Sequence, residues 1–177
     1  MSGYNKLYFM NIADLVSYND TVRSLYFDAL SKLSWAKIME PRGLSFDSMR
    51  NVFVHLTRVE DRAINYVIPE RDNEWGPVNF DSFKGLKSLK SYMQDVQEKT
   101  EAYLAKLTSQ ELSRQIVFPW VDKPNVKVNV ETVLSHLVLE DMIHYGELSA
   151  SFWQMGMEAP YIAFWRYMIR DYQEIDR

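Results

Sequence analysis

Apolar residues return at steps of three and four along most of the chain. Between Asn11 and Leu33 the positions Ile12, Leu15, Val16, Val22, Tyr26, Ala29, Leu30 and Leu33 trace one face of a helix of about six turns. Pro41, Arg42 and Gly43 interrupt the rhythm. Ser45 is then placed to cap a second helix, in which Phe46, Met49, Val52, Phe53, Leu56, Val59, Ala63 and Val67 keep the period until Pro69 stops it. The stretch PERDNEWGPVNFD reads as a loop holding Trp75. Asp81 or Ser82 opens a third helix with a heptad-like seam of Leu86, Leu89, Met93, Val96, Thr100, Tyr103 and Leu107. Thr108 and Glu111 suit a capping box for a short helical turn, and QIVFPW and VKVNV are β-prone runs that predict a small hairpin. Asn129 caps a fourth long helix that fades near Gly156. Pro160 marks the start of a last helix with an aromatic stripe of Tyr161, Phe164, Trp165, Met168, Ile169 and Tyr172, expected to face a core or an interface.

Four long amphipathic helices predict an all-α fold: a four-helix bundle with a short β-prone insertion before the fourth helix and an additional C-terminal helix. With 177 residues and 47% hydrophobic content, one domain spanning residues 1–177 is the expectation.

The fourth helix carries the chemical clue. Val130, Val133, Leu137 and Leu148 lie within about 40° of Leu137 on a helical wheel, His144 about 20° from it and Glu140 about 60° from it. Both polar residues therefore point inward or onto a cavity wall, and an inward Glu needs a partner. Four residues apart, they stack on one face, where a carboxylate and an imidazole can converge on one point such as a metal ion. The second helix carries His55. The chain has no Cys, which removes disulfides, thiolate ligands and a cysteine nucleophile and leaves three His, with Asp and Glu, to hold any transition metal.

A net charge of −4 without a Lys/Arg cluster argues against a nucleic-acid or anionic-membrane surface. The sequence also lacks an apolar run of about 18 residues and an N-terminal signal pattern, so a cytoplasmic protein acting on a small molecule is expected.

VFVHLTRVEDR, followed later by LSHLVLEDMIHYGELSA, resembles the DinB/YfiT-like superfamily, and the similarity in order and spacing extends over essentially the whole chain. That superfamily is unrelated to the DNA polymerase sharing its name, and no DNA chemistry is implied. The resemblance implies one divalent ion, Zn, Ni, Mn or Fe, held by His55, Glu140 and His144. Glu140 stands where most relatives carry a third His. A His₂-carboxylate set is nonetheless a known catalytic zinc arrangement and also suits Fe(II) or Mn(II). Glu147 replaces the usual Gln and Tyr145 an often-present Arg. Characterised relatives include transferases and isomerases using low-molecular-weight thiols, so the expected activity is a metal-dependent hydrolase or thiol S-transferase, with no side chain assignable as catalytic. The alternative is a non-catalytic, small-molecule-binding or stress-related bundle with a degenerate metal site. Relatives often pair, so a homodimer is also expected.

Other polar residues are candidates for the pocket or for support of the ligands. His136 lies at the edge of the apolar arc; Asp141 and Glu147 flank the ligand pair, as a base, as orienters of a ligating His, or as solvated carboxylates. Glu60 can serve the site or pair with Arg58, Arg62 or a neighbouring helix, and Arg62 and Tyr66 follow His55 on its own helix. Trp75 and Trp120, in loops, are candidate pocket linings.

Overall fold

The computed structural model describes residues 10–170 except 122 and 124. It is an all-α architecture in which four long helices, α1 (Ile12–Leu30), α3 (Met49–Arg62), α4 (Leu86–Leu104) and α6 (Val130–Gln154), enclose the core. Short helices α2 (Trp35–Met39), α5 (Ser109–Ser113) and α7 (Phe164–Arg170) and the antiparallel strands β1 (Gln115–Val117) and β2 (Lys127–Asn129) complete it. Ile116 pairs with Val128, as the β-prone runs predict, and β2 passes directly into α6 through the Asn129 cap, whose side chain accepts the Thr132 N–H.

Helix direction follows from which residues share a cluster. Tyr26 and Leu30 of α1, Phe53 and Leu56 of α3, Leu89 and Met93 of α4, and Tyr145, Leu148 and Phe152 of α6 pack at one end. Val16, Leu104, Val133 and Leu137 meet at the other, with Ala63 and Ile64 just past α3. The helices therefore run up, down, down, up, and the segment between α3 and α4 is the crossover that returns the chain along the bundle. The most extensive helix pairings form the ring α1–α6–α3–α4, and Arg23 and Phe27 of α1 reach across it to Glu60 and Phe53 of α3.

Between the two apolar ends lies a polar layer. Arg23 is completely buried; it donates to Asp20 at 3.1 Å and Asp141 at 2.8 Å and pairs closely with Glu60. Asn19 donates to Asp141 at 3.2 Å, and Thr100 of α4 donates to Glu60, so all four long helices meet in one network. Burial pushes the Asp141 carboxyl up to about 6, with Arg23 opposing. Burial and the nearby Glu60 also drive Asp20 well above its usual range.

Several boundaries differ from expectation. Ser48, not Ser45, caps α3, because residues 44–47 form a tight turn closed by an Asp47 N–H to Leu44 C=O bond of 2.9 Å, with Asp47 in left-handed backbone at φ 71°. α3 continues through a π-helical turn, Ala63–Val67. Helix α2, which was not expected, forms where Ser34 caps a turn that buries Ile38. α4 starts at Leu86, after a 3₁₀ turn at Phe80–Ser82, since the Arg50 guanidinium holds the Phe80 and Phe83 carbonyls at 2.6 and 3.2 Å. α7 starts at Phe164. Its predicted stripe is split: Phe164 packs edge-on against Tyr18, whereas Tyr161, Trp165 and Ile169 are exposed, and Tyr172 lies outside the described residues. α6 also turns Leu139, Ile143 and Trp153 outward, each about two-thirds exposed. Among the described residues no helix is long and apolar enough to cross a membrane.

Arg23→Met is expected to lower the unfolding free energy by about 3–5 kcal/mol in urea titrations, because it strands buried carboxylates without their cation. A loss below about 1 kcal/mol would show that the polar layer does not hold the bundle together.

Candidate metal centre

Three side chains from two helices meet beside the polar layer. His55 projects from α3, and Glu140 and His144 stand one turn apart on α6. Their ligand atoms all lie within 4.8 Å of one another. Both imidazoles present Nε2 to a single carboxylate oxygen: His55 Nε2 and His144 Nε2 each lie 3.2 Å from Glu140 Oε1. The two His rings meet edge to face with centroids 4.7 Å apart. The His side chains are buried and the Glu140 side chain is about one-quarter exposed, so the centre is reachable from solvent through the carboxylate.

His144 is held from behind. Its Nδ1 lies 3.0 Å from Glu147 Oε2, and the Glu147 carboxylate accepts the Ser45 hydroxyl at 2.7 Å and the Ser45 backbone N–H at 3.2 Å. A neutral imidazole has one N–H. When His144 gives it to Glu147, its Nε2 lone pair faces the Glu140 oxygen, an arrangement that calls for a cation between them. This carboxylate–histidine pairing is the usual support of a metal-bound His. His55 is held differently: Phe46 stacks on its ring at 4.0 Å, and its Nδ1 is buried without a hydrogen-bond partner.

The donor set fits a divalent ion. Two imidazole nitrogens and a carboxylate oxygen suit a borderline metal, and bonds of roughly 2.0–2.1 Å in a tetrahedral shell place ligand atoms roughly 3.3–3.5 Å apart, close to the two 3.2 Å separations. Burial raises the Glu140 carboxyl, but the bonds from His55 and His144 outweigh it and hold the group below its ordinary value. Burial opposes ionisation of Glu147 in the same way and is outweighed by His144 and Ser45.

The other candidates are dispersed. Glu147 supports His144, but Asp141 and Glu60 face away into the Arg23 network; Glu60 finds its partner on α1 rather than in Arg58 or Arg62. His136 sits two turns before His144, beside Phe118 and Trp120 at 6.0 and 5.6 Å, under the hairpin. Arg62 binds Asp72 with both ends of its fork, at 2.7 and 2.8 Å, and stacks on Trp75 and Trp120, so these Trp rings enclose an arginine away from the centre. Tyr66 forms no hydrogen bond or ring contact with the centre among the described residues. The supporting roles of Ser45 and Phe46 carry no local signal: Ser45 reads as a helix cap and Phe46 as one more apolar position, and nothing nearby in the sequence shows that their turn folds onto α6.

Burial pushes the His55 imidazole down to about 4, against the opposing bond to Glu140. In metal-free protein its ring signals are therefore expected to stay constant from about pH 8 to 5.5 in NMR titrations. The unfolded chain takes a proton near 6.5 that the folded state refuses, so the contribution of His55 to stability falls from about pH 6.5 to 4 and levels off below. A ring titrating near 6.5 would contradict the buried placement.

Among solved structures, the chain is similar to a DinB-like protein, YjoA, of Bacillus subtilis, with 22% identity, a TM-score of 0.62, and coverage of 83% of this chain and 96% of that one. At this identity the likeness speaks to the fold alone. No curated protein matches the chain significantly. The DinB family, by contrast, matches residues 1–175, nearly the full length and with every residue of the candidate centre inside the match, and the chain belongs to that family.

Proposed function

We propose that this chain is a divalent-metal-dependent enzyme, a hydrolase or a low-molecular-weight-thiol transferase, whose ion is held by His55, Glu140 and His144. The observation that carries this reading is the meeting of two Nε2 atoms on one Glu140 oxygen while His144 Nδ1 is committed to Glu147. A divalent ion supplies Lewis acidity there, letting water or a thiol act as nucleophile at neutral pH without a Ser or Cys nucleophile. The protein's own groups do the rest. Glu147 and Ser45 fix the His144 tautomer and ring, Phe46 fixes the His55 ring and excludes water from its face, and the exposed edge of Glu140 leaves a side open to a small molecule. Zn, Ni, Mn and Fe all suit these donors.

A second reading rests on the same carboxylate. If both Nε2–H groups donate to Glu140, its charge is satisfied without an ion, and the chain is a non-catalytic small-molecule-binding bundle with an altered centre.

Elemental analysis of protein purified without an affinity tag separates the two. About one ion per chain is expected in the parent, with loss in His55→Ala and Glu140→Ala. Glu147→Gln is expected to bind the ion about 10–100-fold more weakly, because the amide holds the imidazole without the charge that raises its basicity. A parent that carries no metal and takes up none of Zn, Ni, Mn or Fe would reject the enzyme reading.

A further inference from the structure

Arg58 lies one turn beyond His55 on α3, and its guanidinium stacks on the Phe80 ring at 4.6 Å and reaches the Phe46 ring at 5.8 Å. Phe46 is the ring that covers His55, and Phe46 and Phe80 meet edge to face at 5.9 Å. Arg58 and the candidate centre therefore share one aromatic wall. The other arginines in or near the core are neutralised: Arg23 by three carboxylates, Arg50 by Asp81, Arg62 by Asp72 and Arg114 by Glu111. Arg58, half-buried, makes no hydrogen bond or ion pair with any described residue. Asp61, one turn further on, is occupied by the Tyr92 hydroxyl at 3.0 Å and the Asn65 amide at 2.8 Å.

A guanidinium taken partly out of water without an acceptor is costly, and burial holds this one below its ordinary value, with Tyr92 alone in partial opposition. It remains charged at any physiological pH. With its charge set over the Phe80 ring and no acceptor among the described residues, its N–H groups are left to a ligand, and their fork suits a carboxylate.

We infer that Arg58 anchors a carboxylate of the small molecule that reacts at the His55–Glu140–His144 centre. The inference rests on the proposed function for the identity of that centre and adds the substrate class: a nucleophile or acceptor that carries a carboxylate, its reactive end against Glu140 and its anionic end along the Phe46–Phe80 wall. Arg58 is a specificity-determining residue in this account.

The test uses the full chain and a matched pair of thiols, mercaptobutyrate and mercaptobutanol, which differ in the carboxylate. In metal-free protein carrying ¹⁵N-labelled arginine, the Arg58 Nε–H resonance, assigned by its loss in Arg58→Lys, is expected to shift saturably with mercaptobutyrate and not with mercaptobutanol. In cobalt-loaded protein, with binding read from the visible spectrum, mercaptobutyrate is expected to bind about tenfold more tightly than mercaptobutanol. Arg58→Gln should abolish that preference. Retention of the preference in Arg58→Gln, or an Arg58 resonance that ignores mercaptobutyrate, would overturn the anchor. A parent that gives no cobalt spectrum would reject the metal reading instead, and the metal-free titration then decides Arg58 by itself.

Discussion

A fully buried arginine has to be surrounded by acceptors, and in this bundle that requirement fixes how the helices are turned. Arg23 on α1 draws Glu60 from α3 and Asp141 from α6 to one point, with Asp20 from its own helix and Thr100 of α4 completing the layer. Once Asp141 faces α1, Glu140 is turned by about 100° toward α3, and His144 follows it one turn later. Glu60 in the same network fixes the rotation of α3 and with it the direction of His55. The layer is a costly way to hold a bundle, since apolar residues of similar volume would often hold it as well. What it adds here is rotational register, and the candidate centre depends on register.

The centre inherits that geometry and refines it with local parts. Glu140 sits between two imidazoles, each held by different means, one by a carboxylate and one by an aromatic ring. The turn before α3 provides both supports from adjacent residues: Ser45 reaches Glu147 on α6 and Phe46 covers His55 on α3. The left-handed backbone of Gly43 and Asp47, at φ 66° and 71°, lets so short a segment turn back on itself and offer both side chains to the bundle.

Much of this was legible in the chain. A helical period shows where each long helix lies, and Glu140 and His144 were visible because polar residues on an apolar face must be satisfied there. The loop between α3 and α4 is readable from its Pro and Gly residues, and the hairpin from its β-prone runs, but that the loop crosses back along the bundle is decided by which helix ends pack together. Arg23 obeys the same period, with Val16 and Asn19 before it and Tyr26 and Leu30 after it, but a stripe drawn through Val22 passes it by. The remaining differences come from long-range contacts that local rules cannot weigh. Ser45 and Ser48 are equally good caps by type, and the 44–47 turn, with Ser45 reaching across to Glu147, decides between them. The start of α4 is delayed by Arg50, more than thirty residues earlier, and the exposed side of α7 is set by which of its rings meets Tyr18.

Every catalytic role proposed for the site needs one ion bound between α3 and α6, which anomalous diffraction from crystals of the zinc-loaded protein would locate. One dominant peak is expected, at roughly 2.0–2.2 Å from His55 Nε2, His144 Nε2 and a Glu140 oxygen. A peak beside His136 or on surface carboxylates, with none between these three side chains, would contradict it.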